Sequence, residues 1–258
     1  MRKLMVACMV PAFIVTVLAA GTTPAADTPD ASAAIAAAVS DTSRPAADTA
    51  RDAGRAPAET LTFAGVKPGD VVADYVAGSG YFTRLFVAVV GPRGHVYAVE
   101  PSPVLKYVAK ELAELEAWTG THPSLTVTVA SPLEGTRFPQ KLDLFFISQN
   151  YHDMHDKFMG PVDIAAFNAA VYAALKPGGI YLVLDHVAAP GAPADVTETL
   201  HRIEPAVVRR EVEAAGFKFV AESSLLANPA DPHTAQVFDK SIRGHTDQFI
   251  YKFRKPGR

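Results

Sequence analysis

The sequence predicts an α/β protein in which a mostly parallel sheet carries helices on both faces. Two observations point there. From Val71 onward, short β-rich apolar runs alternate with runs whose apolar residues recur at helical spacing. The run Leu142 to Ile147 is almost wholly apolar, as expected of a strand covered on both sides.

Taken in order, Asp48 to Asp52 reads as a charged helical stretch. Pro57 starts a second helix that carries Leu61 and Phe63 inward and closes at Gly65. Lys67-Pro68-Gly69-Asp70 is a turn into the first core strand, Val71 to Ala73, which ends at Asp74. Gly78 and Gly80 make a tight turn, and Tyr81 to Val90 follows as a helix with Phe82, Leu85, Phe86 and Val89 on one face. Gly91 to Gly94 breaks the chain before a second strand, His95 to Val99, that ends at Glu100. Pro103 opens a helix to about Trp118 with Val104, Tyr107, Val108, Leu112 and Leu115 on its inner side. Leu125 to Val129 and Leu142 to Ile147 are the third and fourth strands. A helix with Pro161 in its first turn follows, then Lys176-Pro177-Gly178-Gly179 and a fifth strand, Ile180 to Leu184. Pro205 starts a helix that Gly216 ends. Phe217 to Val220 and Phe249 to Phe253 complete a count of seven strands.

Length and charge narrow the function. The 258 residues, 49% hydrophobic and 20% charged, suffice for one domain of ordinary size with a substantial core. A formal net charge of −3 lacks the basic footprint of a nucleic-acid binder, which leaves a small molecule as the default partner.

The first 21 residues read as a signal peptide: a positive start at Arg2 and Lys3, an apolar run to Ala20, and small residues at Ala19-Ala20-Gly21. An uncleaved anchor is the rival, against which stand the shortness of the run, Pro11 within it and the lack of a positive flank after it. The bulk of the chain is then exported, to the periplasm, with no stable membrane insertion after cleavage. Cys8, the only cysteine, lies in that run, so the mature chain lacks thiolate nucleophiles and thiolate metal ligands. Residues 22–43, rich in Ala, Thr, Pro and Asp, read as a disordered linker, with a transient helix near Ala33 to Val39; the folded domain is expected over 44–258.

In open α/β sheets ligands bind beyond the carboxyl ends of the strands. The candidates are therefore Asp74 to Gly80, Glu100, Ala130 to Leu133, Ser148 to His155, and Asp185 with His186. A Gly turn between a buried strand and a helix start lets a ligand approach the backbone and meet unpaired N–H groups. A dinucleotide-dehydrogenase fingerprint needs a third glycine where Thr83 stands, and here an acidic residue precedes the glycines instead.

From about Pro57 to Phe253 the chain resembles a class I S-adenosylmethionine-dependent methyltransferase. More closely, it resembles the signal-bearing bacterial predicted-methyltransferase group. The likeness is carried by RPAADTARDAGRAPAETL, DYVAGSGYFT, QNYHDMHD, LKPGG and HRIEPAVVRREVEAAGF. It implies a Rossmann-like seven-stranded sheet whose last strand inserts antiparallel beside the fifth, S-adenosylmethionine as cofactor and methyl transfer as activity. Asp74, Gly78 and Gly80 match the family's first-strand motif, so the loop of Val76, Ala77, Gly78, Ser79 and Gly80 is expected around the methionine part. Glu100 matches the acidic residue that accepts both ribose hydroxyls, Ser131 the position flanking adenine, and Asn150 a further cofactor contact. Val76 departs from the pattern, because many members have glycine there. A β-branched residue tolerates positive φ poorly, and its side chain narrows the cofactor space.

In this family the polar segment Ser148 to Asp156 is where the acceptor meets the methyl group. His152 is the candidate base, Asp153 orients its imidazole, and Tyr151 positions cofactor or acceptor. No metal site is assigned. His152, Asp153, His155 and Asp156 could join Asp185 and His186 around a divalent ion, but their spacing matches no tight ligand set. His201 and Arg202 either help close the acceptor pocket or form a surface salt bridge. The expected function is methylation of a small molecule. The alternative is a non-catalytic exported binding protein that retains the nucleotide cleft, because S-adenosylmethionine is made in the cytoplasm.

Overall fold

A computed structural model describes residues 30–257. The predicted signal peptide and the start of the predicted linker lie outside them. Four helices come first: α1 (Ala31–Ser40), α2 (Ala46–Thr49), α3 (Asp52–Arg55) and α4 (Pro57–Ala64). Then β1 (Val71–Tyr75), α5 (Tyr81–Val90), β2 (His95–Pro101), α6 (Leu105–Thr119), β3 (Leu125–Ala130) and β4 (Leu142–Ser148) follow. The chain closes with α7 (Ile164–Ala174), β5 (Leu175–His186), α8 (Val196–Leu200), α9 (Pro205–Ala214), β6 (Lys218–Ser223) and β7 (Gln248–Arg254).

All seven strands join one sheet in the order β3-β2-β1-β4-β5-β7-β6. β7 runs antiparallel to both β5 and β6, and the other pairings are parallel, as expected. β1 sits between β2 and β4, and every residue of it is buried. The order of strands reverses at β1, so the gap beyond β1 and β4 is where a cleft can open.

Aromatic side chains fill both faces. On one, Phe82 and Phe86 of α5 pack edge-on against Phe146 of β4, with ring centroids 4.8 and 5.2 Å apart. On the other, Tyr75 meets Phe145 at 5.4 Å and Phe167 at 5.2 Å, while Tyr181 packs on Phe145 and Phe217. Period-two strands and a helix of period 3.6 both deliver their apolar faces to the sheet.

Three expectations are corrected. Within the linker predicted over 22–43, the segment expected to be only transiently helical near Ala33 to Val39 is a docked helix from Ala31 to Ser40, with Ile35 and Ala38 buried in the cluster that holds Leu85 and Phe86 of α5. Its alanines leave little side-chain bulk, so one isoleucine and a close backbone approach suffice to dock it. Tyr107 was placed on the inner side of α6, but it is exposed, with its ring beside Phe158 at 5.9 Å. α7 starts three residues after Pro161, because the Asp163 carboxylate caps it by accepting from the Ala166 N–H.

Candidate functional site

A cleft of about 580 Å³ opens beyond the carboxyl ends of β1, β4 and β5. Asp74, Val76, Ala77, Gly78 and Ser79 form one wall, and Asn150, His152 and Asp153 form another. The two groups were assigned separately from the sequence, and the fold brings them to one space. Gly80, Glu100, Ser131 and Tyr151 do not line it.

The Gly turn is built on two buried carboxylates. Asp74 accepts a 2.6 Å hydrogen bond from the Thr83 hydroxyl, so β1 and α5 are stitched across the turn. Burial lifts the Asp74 carboxyl to about 6. Glu100, fully buried, accepts the Gly78 N–H through Oε2 at 2.9 Å, and burial lifts it to about 7. Its Oε1 is buried without a partner. The carboxylate thus grips the turn with one oxygen and leaves the other unsatisfied. Gly80 takes φ 78° at the start of α5, and a Cβ there would come within 2.7 Å of Leu115.

Val76 takes φ 58°, the left-handed region that a β-branched side chain disfavours. Gln149 and His201, at 62° and 53°, share that region, and all three line the cleft. Left-handed non-glycine residues cost about 1–3 kcal/mol each and concentrate at functional sites.

Past β4 the chain turns through a 3-10 segment, His152–His155, seated on Asp185. Asp185, fully buried near the end of β5, accepts the His152 N–H and meets His152 Nδ1, both at 2.8 Å, and also accepts the His186 N–H at 2.8 Å. His152 Nε2 lies 3.2 Å from Asp153 Oδ1, and Asn150 donates to Asp153 Oδ2 at 2.7 Å. Burial alone would lower the His152 pKa, but Asp185 and Asp153 outweigh it and hold it well above the ordinary histidine value. Asp153, in spite of burial, is held well below the carboxylate range by the close His152 imidazole, with His201 and the Asn150 amide assisting. A protonated imidazole bridging two carboxylates has no lone pair to offer, which argues against His152 as a free base.

Other assignments shift as well. Tyr151 faces the core: its hydroxyl donates to Glu211 at 2.9 Å and accepts from Asn168 at 2.8 Å. Ser131 is exposed and donates to Glu134. Arg202 is fully buried in a 2.9 Å pair with Asp231 instead of on the surface, and its guanidinium also donates to the Val187 and Ala235 carbonyls. Its neighbour His201 does reach the cleft, where its ring packs on Phe238 at 5.1 Å.

Sequence reasoning missed Arg51 and Arg55. Both line the cleft and stack on Tyr81, with guanidinium carbons 5.0 and 4.7 Å from the ring centroid. Arg55 donates to the Gln149 side chain, and burial with the nearby Arg51 lowers its pKa to about 10. Arg51 pairs with Asp48 at 2.6 Å and donates to the Ser79 hydroxyl. The available signal was the spacing of four in RDAGR ahead of Pro57, which sets two arginines on one side of a helical stretch.

No protein-family model matches the chain, and no curated protein matches it. Solved structures do. An S-adenosylmethionine-dependent methyltransferase from Aquifex aeolicus superposes with a TM-score of 0.51 at 16% identity, covering 76% of this chain and 88% of that one. A protein of Galdieria sulphuraria, provisionally assigned as a sarcosine dimethylglycine methyltransferase, gives 0.54 at 17% identity over 79% and 85%. A Bordetella parapertussis protein, provisionally described as exported, gives 0.51 at 15% identity over 78% and 68%. The shared feature is the fold: a seven-stranded Rossmann-like sheet of the kind found in S-adenosylmethionine-dependent methyltransferases. Among the described residues no helix is long and apolar enough to cross a membrane.

Proposed function

We propose that the chain is an exported, periplasmic S-adenosylmethionine-dependent methyltransferase acting on a small molecule. The observation that carries the reading is the buried, unpartnered Oε1 of Glu100 beside the Gly turn, on a sheet of methyltransferase order. A buried acceptor lacking a donor is costly, and a ribose hydroxyl is a donor that would complete it. S-adenosylmethionine supplies, when bound, a methyl group on a sulfonium that a nucleophile can displace. Glu100 and the Val76–Gly80 loop would hold it, with Asp74 bracing the turn and Asn150 facing the same space. Glu100 lies behind the loop, so taking up a ribose hydroxyl requires Gly78 to yield its hydrogen bond or shift.

The acceptor would occupy the part of the cleft bounded by Asp153, His201 and Phe238. Asp153 offers a negative oxygen there, and His152, anchored on Asp185, fixes where that oxygen sits. Alignment of a nucleophile is the main demand of a methyl transfer, and these residues supply a rigid frame for it. His186 is neutral at pH 7, since burial lowers its pKa to about 4, and its Nδ1 bonds the Thr246 hydroxyl at 2.7 Å. It extends the polar wall without adding charge.

Two features favour the alternative of a non-catalytic binding protein: Val76 narrows the turn, and Glu100 does not face the cleft. Calorimetry with S-adenosylmethionine on protein lacking residues 1–21, so that α1 is retained, separates the readings. Binding with turnover on a panel of hydroxylated and amine acceptors is the expected result. Binding without turnover selects the binding protein, and absence of binding at millimolar cofactor ends the enzyme reading.

A further inference from the structure

Three atoms of metal-ligand type converge on the acceptor side of the cleft. They are one ring nitrogen each from His152 and His201 and one carboxylate oxygen of Asp153, all within 4.8 Å of one another. His152 Nε2 lies 3.2 Å from Asp153 Oδ1, and His201 Nδ1 lies 3.9 Å from that same oxygen. Two ligands bound at about 2.1 Å with tetrahedral angles stand ~3.4 Å apart, close to the two distances to Asp153, and the three atoms, all within 4.8 Å, can reach one ion through small side-chain adjustments.

The surroundings are those of a metal-binding histidine. His152 Nδ1 is held at 2.8 Å by Asp185 Oδ1, which fixes the ring and turns Nε2 toward Asp153. A carboxylate behind the imidazole is the usual outer partner of such a ligand. Asn150 restrains the other oxygen of Asp153 at 2.7 Å and leaves Oδ1 facing the two rings. His201 is held in the left-handed region, φ 53° and ψ 49°, at the end of α8, and that conformation brings its ring to the cluster. Asp156, at the end of the same 3-10 segment, keeps a buried Oδ1 without a partner. The other candidates from the sequence are engaged elsewhere: His155 Nε2 with Glu211 at 3.2 Å, and His186 Nδ1 with Thr246.

We propose that His152, Asp153 and His201 bind one divalent first-row transition-metal ion, zinc in the first instance. Two imidazoles and one carboxylate suit zinc, iron(II) or manganese(II), whereas calcium and magnesium favour sets made of oxygen alone. Binding releases the His152 Nε2 proton, so affinity falls in acid. Because the three residues line the cleft, an ion held by them would be able to fix an oxygen of a small molecule and favour its deprotonated form. Only that corollary rests on the methyltransferase reading; occupancy of the site does not.

The test uses tag-free protein stripped with chelator and titrated separately with zinc, manganese(II) and, without oxygen, iron(II). Binding is followed by calorimetry and by metal analysis after desalting. The expected result is about one equivalent of one of these ions retained, with a higher melting temperature. His201→Asn removes the imidazole while keeping a residue that accepts left-handed backbone. It should weaken binding at least 100-fold and leave the melting temperature of metal-free protein within a few degrees. His155→Gln should bind as the unaltered protein does. Failure of all three ions to bind, undiminished binding in His201→Asn, or loss of binding in His155→Gln would each overturn the assignment, whatever the protein does with S-adenosylmethionine.

Discussion

Asp185 and Glu100 are both fully buried carboxylates at or near the ends of central strands, yet they are equipped very differently. Asp185 meets three groups at 2.8 Å, the His152 N–H, His152 Nδ1 and the His186 N–H, so both its oxygens are satisfied. Glu100 accepts one backbone N–H, and its second oxygen has no partner. A satisfied buried carboxylate is a pedestal: it fixes what stands on it. A half-satisfied one pays in stability for something the folded chain alone does not return, which is how a group reserved for a ligand should look.

The largest effect should come from removing the pedestal. Asp185→Ala strips the buried His152 imidazole of a counter-charge and leaves two N–H groups unpaired, a loss of roughly 3–5 kcal/mol. Urea unfolding measures it, and a loss below 1 kcal/mol would mean that Asp185 supports nothing.

Glu100 should respond in the opposite sense. Its carboxyl sits near 7 in the fold against an ordinary 4.5, so it is neutral in both states below pH 4.5 and its charged form is disfavoured by folding above that. The penalty builds as pH rises from 4.5 to about 7 and levels off above that, at ~3 kcal/mol. Relative to Glu100→Gln, the unaltered protein should therefore lose that much unfolding free energy between pH 4.5 and 8; parallel pH curves for the two proteins would contradict it. At pH 8 Glu100→Gln should be the more stable of the pair. Glu100→Ala should nevertheless bind S-adenosylmethionine more weakly by about 1.5–3 kcal/mol, the scale of a hydrogen bond to a charged group. Unchanged affinity in calorimetry would place the cofactor elsewhere.

The same contrast marks what the sequence could tell. The sheet was legible because each element carries its own period and punctuation, from the all-buried VVADY run to the Phe82, Leu85, Phe86, Val89 face. The Gly turn was legible for the same reason, since Asp74 to Gly80 is one local segment. The second half of the site was read only in part. His152 and Asp153 stood out as polar residues after an apolar strand, but their partners Asp185 and His201 lie 33 and 48 residues or more along the chain, and no spacing rule joins them. Tyr151 was misassigned because a 3-10 turn sends neighbouring side chains in different directions, one to the cleft and one to the core. Helix α1 was read only as a transient helix near Ala33 to Val39, and its docking was missed because alanine-rich composition is shared by linkers and by helices that dock through a few small side chains.

Val76 supplies the finest discrimination, because the sequence flagged it and the backbone places it at φ 58°. It is buried, 8% exposed, so truncating it removes apolar contact. Burying a valine is worth about 1.5–3 kcal/mol, and the left-handed conformation costs a β-branched residue about 1–3 kcal/mol, which a glycine would recover. In Val76→Gly the two should nearly cancel, leaving stability within ~1 kcal/mol of the unaltered protein. Val72→Gly, four residues earlier within β1 with ordinary backbone, has burial to lose and no strain to relieve, so it should cost about 2–4 kcal/mol. Denaturant midpoints of the two variants measure the difference directly. If they fall together, the turn holds no strain at Val76, and the departure from glycine there affects only the shape of the cleft. If Val76→Gly is near neutral and also tightens S-adenosylmethionine binding, the valine is a restriction that the fold carries at little net cost.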